Sequence, residues 1–99
     1  MFVHTVLFWL KDGCGEDVRR AMIRDGVELL GRISSVRHIW AGTAVESSRD
    51  IVDCSFDVGL CVVFEGSEGH DAYQVDPLHQ EFVRRYSQHW ERVRVYDFE

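Results

Sequence analysis

Apolar and other positions alternate most strictly along Phe56, Val58, Leu60, Val62 and Phe64, with Asp57, Gly59, Cys61, Val63 and Glu65 between them. A period of two predicts a strand with one buried face. Phe2 to Leu10 is rich in β-branched and aromatic residues and also reads as a strand, apolar on both faces. Phe2, Val6 and Phe8 share one face with His4; Val3, Leu7 and Trp9 share the other with Thr5. Such a strand is a central strand, or one covered by helices on one side and a partner subunit on the other.

Lys11 to Gly15 reads as a turn. From Glu16 to Ile33 the period becomes helical, with Val18, Met22, Leu29 and Ile33 in one stripe and Ile23, Val27 and Leu30 beside it. Glu16 and Asp17 suit the start of that helix and Arg32 its end. Gly26 interrupts it, a position expected to pack closely on a sheet. Val36 to Val45 predicts a second strand, and residues 44–53 a polar hairpin loop. After Gly66, Ser67 is placed to cap a short helix over about 68–74. Asp76-Pro77 then starts another helix to about His89, and Val93 to Phe98 closes the chain as a strand.

The order β-α-β-β-α-β, with its second helix broken at Asp76-Pro77, predicts a ferredoxin-like α+β fold: a four-stranded antiparallel sheet with helices on one face. The other sheet face carries Val3, Leu7 and Trp9, and an exposed apolar face marks an interface. A homodimer packed sheet against sheet is therefore expected.

Residues 1–99 are expected to form one domain, since the length leaves no room for a second core. The net charge of -6 argues against nucleic acid and anionic membranes as partners. No apolar run approaches a membrane span and no signal-peptide pattern opens the chain, so a cytoplasmic location is expected. Cys14, Cys54 and Cys61 are odd in number and lack metal-ligand spacing, which fits a reducing compartment. Cys61, inside an apolar strand, is expected to be a buried inert thiol, and Cys14, in a Gly-flanked turn, to face solvent.

The candidate chemistry lies around Tyr73-Gln74-Val75-Asp76-Pro77-Leu78-His79. His79 falls in the first turn of the helix that Asp76 and Pro77 begin, Tyr73 precedes the break, and His4 sits on the first strand. If that strand passes beneath, the three side chains converge on one apolar pocket. A histidine near its ordinary pKa can take a proton from a carbon acid, and a placed phenol can donate to the developing enolate. The same residues can equally form a structural or binding cluster, with His79 bonded to Tyr73 or to the backbone. His38, His70 and His89 read as surface or edge residues. His4, His79 and Asp76 are ligand types for a metal, but no spacing such as His-Glu-x-x-His supports one, and no metal or other cofactor is expected.

Taken together, Val3-His4-Thr5-Val6-Leu7-Phe8, Phe56-Asp57-Val58-Gly59-Leu60 with Phe64-Glu65, the Tyr73–His79 run with Phe82-Val83, and Val95-Tyr96-Asp97-Phe98 resemble the stress-responsive α/β-barrel (Dabb) family of the dimeric α/β-barrel superfamily. The resemblance spans nearly the whole chain and implies a barrel built from two sheets, with a cavity between each sheet and its helices. In a plant member that closes a polyketide chain by aldol condensation, the functional histidine corresponds to His79, the tyrosine to Tyr73 and the strand histidine to His4. The family often has His where this chain has Asp76. Two function classes follow. One is a non-enzymatic, stress-associated small-molecule binder. The other is a cofactor-free lyase or cyclase acting on a hydrophobic carbonyl compound, with His79 as base, Tyr73 as proton donor and His4 as orienting group.

Overall fold

The computed structural model describes residues 1–99. Strand β1 (Phe2–Leu10) leads into helix α1 (Glu16–Glu28), followed by β2 (His38–Gly42) and β3 (Val58–Phe64). Helices α2 (Ser67–Val75) and α3 (Pro77–Tyr86) then return the chain to β4 (Trp90–Phe98). The sheet runs β2-β3-β1-β4 with every pair antiparallel, the ferredoxin-like arrangement. Within this single chain it is an open sheet and not a closed barrel.

Register sets the two faces. His4 lies between Val62 and Asp97, and Val6 between Leu60 and Val95, so these residues share the face that meets the helices. Met22, Leu30, Val58, Val62, Phe64 and Tyr73 are the most deeply buried side chains between sheet and helices. Gly26 lies where α1 crosses the sheet closely: a Cβ there would stand 3.3 Å from the Ala41 Cβ and 3.5 Å from Leu60 Cδ1. The opposite sheet face carries Val3, Thr5, Leu7 and Trp9 alongside Trp40, Cys61, Tyr96 and Phe98. Trp40, Tyr96 and Phe98 remain 65%, 55% and 61% exposed.

Several expectations shift. The first helix stops at Glu28 and tightens into a 3₁₀ turn over Leu30–Arg32, which still buries Leu30 and Ile33. The long apolar stripe is thus delivered by two helical pieces. β2 is shorter than Val36–Val45, and residues 43–57 hold no regular element. Phe56 leaves the alternation: it lies before β3 and meets Trp9 edge-on, with ring centroids 6.5 Å apart, on the open face. Gly59 makes room for it, since a Cβ there would stand 3.2 Å from Phe56 Cε2. Ser67 is the first residue of α2, not its cap; extended Gly66 holds the cap position. α3 ends at Tyr86, with Ser87–His89 in a 3₁₀ turn, and β4 begins three residues before Val93, at Trp90. Cys61 faces the open side and is half-buried, because its register partners are Thr5 and Trp40. Cys14 is also half-buried.

Candidate functional site

Asp76 makes the break between α2 and α3. Its backbone is extended, and its Oδ1 accepts a 2.8 Å hydrogen bond from the Leu78 N–H. That side chain satisfies an otherwise orphaned amide, and Pro77 supplies the first helical residue, which has no N–H to satisfy. The break turns the chain so that the C-terminal end of α2 and the first turn of α3 face the same strip of sheet. Tyr73 and His79 meet there edge to face, their ring centroids 4.7 Å apart.

Both line a cavity of about 170 Å³. Its floor is His4, Val6 and Phe8 of β1 with Val93 and Val95 of β4; its helical wall is Tyr73, Gln74, His79, Phe82 and Val83, and Leu60 and Trp90 complete the lining. His4, Tyr73 and His79 therefore converge on one space. The lining is mostly apolar, with the two imidazoles, the phenol and the Gln74 amide as its polar groups.

Each polar group has a distinct state. Burial holds the His79 pKa below the ordinary histidine value, aided by the nearby His4 and His70 and opposed by Asp76. The ring is thus a neutral imidazole at pH 7. Burial pushes the Tyr73 phenol well above its usual range, so it keeps its proton. Neither side chain has a hydrogen-bond partner within the chain, so the structural link between His79 and Tyr73 or the backbone does not form. His4 is 5% exposed, and its Nδ1 lies 2.5 Å from Asp97 Oδ1. Burial lowers its pKa, against the raising influence of Asp97. Asp97 thereby fixes the orientation of the His4 ring, whose centroid lies 6.0 Å from that of Tyr73.

Two neighbours escaped the sequence reading. His70, expected at the surface or an edge, stacks on Phe2 at 4.6 Å and sits 4.7 Å from His4. The signal was its place one helical turn before Tyr73, on the same face of α2. Asp97 was overlooked although it continues the inward alternation of Val93 and Val95. A carboxylate in that register needs a partner, and His4 lies directly opposite. His38 is exposed and His89 half-buried, and neither contributes to the cavity. Asp76 and His79 are not brought together with His4 as a ligand set; the cluster of ligand-type side chains is His4, His70 and Asp97.

The fold recurs in solved structures. A protein of Arabidopsis thaliana superposes with a TM-score of 0.85 at 21% identity, covering 100% of this chain and 94% of that one. A dimeric ferredoxin-like protein of unknown function from Thermobifida fusca gives 0.81 at 20% identity, over 98% and 88% of the two chains. The hydroxynitrile lyase of Passiflora edulis gives 0.83 at 15% identity, over 98% and 90%. At these identities the likeness is one of fold. Comparison with curated proteins finds no match. The family profile described as the stress responsive A/B barrel domain (Dabb) matches residues 2–99, and the chain belongs to that family.

Proposed function

We propose that this chain is the subunit of a homodimer, that it binds a small, largely apolar carbonyl compound in the cavity above β1 and β4, and that its thiols and acidic surface suit the cytoplasm. The observation that carries the binding reading is the pairing of an apolar lining with two unpartnered polar side chains, Tyr73 and His79. An apolar cavity of about 150 Å³ holds a benzene-sized molecule, so one of about 170 Å³ takes a ligand of roughly that size. The Tyr73 hydroxyl is the donor for a carbonyl oxygen. The T. fusca neighbour is described as dimeric, which supports pairing through the open sheet face, whose tryptophan and aromatic side chains would otherwise stay in water.

The same pair supports a second reading, in which binding leads to proton transfer. His79 as a neutral imidazole removes a proton from carbon next to the carbonyl, and the protonated Tyr73 steadies the enolate oxygen. His4, held by Asp97, orients the phenol. A structural neighbour is a hydroxynitrile lyase from Passiflora edulis, which supports reading this fold as one that can carry an enzyme.

The test is hydrogen–deuterium exchange at the methyl group of acetophenone in D₂O, followed by NMR. Catalysed exchange that falls at least about a hundredfold in His79→Ala, with the fold intact, supports the enzyme reading. The rate should decline only below the ordinary histidine range, under about pH 6.5, because burial keeps His79 neutral above it. Tyr73 should impose no alkaline limb below about pH 10. Saturable binding without exchange leaves the binder; neither binding nor exchange would remove both.

A further inference from the structure

His4, His70 and Asp97 come from three different elements, β1, α2 and β4, yet each offers a ligand atom, and these atoms lie within 4.8 Å of one another. We propose that these residues form a binding site for a divalent transition-metal ion of the zinc class.

The donor set is two imidazole nitrogens and one carboxylate oxygen, which suits zinc, cobalt, nickel or ferrous ions better than the oxygen-seeking magnesium or calcium. The site is partly preformed. His4 Nδ1 and Asp97 Oδ1 stand 2.5 Å apart, and an ion bound to both would open the pair to about 3 Å and displace the shared proton. The His70 ring is held by its stack on Phe2 and by a 3.0 Å contact between its Nε2 and the Gln74 amide nitrogen. Backbone pairing fixes the other two, since His4 and Asp97 are register partners across β1 and β4.

Access also fits. The His4 side chain is 6% exposed, whereas that of Asp97 is 36% exposed, so an ion can arrive from the Asp97 side and end beside buried imidazoles. Three protein ligands leave at least one position of a tetrahedral ion open. Of the three ligands only His4 lines the cavity that holds Tyr73 and His79, and neither of those two residues is used.

The test uses the metal-free full chain, titrated with zinc chloride by calorimetry and with cobalt chloride by visible absorption. The expected result is one ion per chain, held at micromolar or tighter affinity, with nitrogen–oxygen cobalt bands and no sulfur charge-transfer band. His70→Phe keeps the ring stack on Phe2 but removes a ligand, and Asp97→Asn removes the charge; each should weaken binding at least about tenfold with the melting temperature of the metal-free protein little changed. His38→Ala, at an exposed histidine away from the cavity, should leave the affinity as it is. Absence of saturable binding would overturn the proposal. So would binding untouched by His70→Phe, or a sulfur band showing that Cys14, Cys54 or Cys61 holds the ion.

Discussion

Asp25 illustrates how single residues hold the helices in place. It is 7% exposed on α1, accepts a hydrogen bond from the Tyr86 hydroxyl and a 3.0 Å hydrogen bond from Arg85 Nη1, and so ties α1 to α3. Burial alone would raise its pKa, but the hydrogen bonds from Tyr86, Arg85 and Arg24 outweigh it and hold the carboxyl below its usual range. A depressed carboxyl pKa stabilises the fold above its unfolded value and ceases to do so as the pH falls through the folded one. Asp25→Ala should cost about 1–3 kcal/mol at pH 7 by leaving the Tyr86 hydroxyl unpaired in the core. That difference should shrink below about pH 4, where the unfolded chain takes up a proton that the folded carboxyl resists, and vanish as the pH falls through the folded value. Denaturant melts of both proteins across this range check it; an equal deficit at pH 7 and pH 3 would contradict the assignment. The helical period places Asp25 on the apolar stripe itself, seven residues after Val18 and four before Leu29, and so marks it for burial. A carboxylate on that stripe needs a partner, and only the approach of Tyr86, 61 residues later, supplies it.

At the scale of elements, the Asp76-Pro77 break was legible in the sequence because capping is local chemistry: a carboxylate, a proline and an orphaned amide within three residues. Its consequence was legible too, since a break at that point sets His79 and Tyr73 on a common side. The strand faces followed from alternation, and His4 was placed correctly on the inner one. What local chemistry could not give was long-range pairing. The His4–Asp97 contact joins residues 93 apart and depends on the β1–β4 register, and His70 comes into the cluster only because α2 lies over β1. The early end of α1 and the excursion of Phe56 likewise follow from how the pieces pack. Since the break aims the site, Asp76→Ala should lower stability by about 1 kcal/mol and loosen the first turn of α3. Amide exchange at Leu78 and His79 should quicken more than at Phe82; uniform protection along α3 would argue that Pro77 alone maintains the break.

For the whole molecule, the open sheet face presents Trp40, Tyr96 and Phe98 to solvent around half-buried Thr5 and Leu7, while Arg92 stacks 4.6 Å over Trp9. We expect sedimentation equilibrium to give about twice the 11.5 kDa chain mass. Tyr96→Lys places a charge on an exposed side chain of that face, so it should fold normally yet weaken self-association at least about tenfold. A monomeric wild type would remove the dimer from the account. The open face and the cavity face are opposite sides of one sheet, joined by alternate residues of β1: Thr5 and Leu7 lie on the open face, His4 and Val6 on the cavity face.

The central claim is that this cavity binds a small carbonyl compound through Tyr73 and His79. The most direct test is a ¹H–¹⁵N NMR titration with acetophenone, compared with ethylbenzene, which has nearly the same shape and no carbonyl. The account predicts saturable shifts centred on Tyr73, His79, Val93 and Val95, with acetophenone bound about tenfold more tightly than ethylbenzene and that advantage lost in Tyr73→Phe. Shifts confined to the outer sheet face, or equal affinity for both compounds, would contradict it.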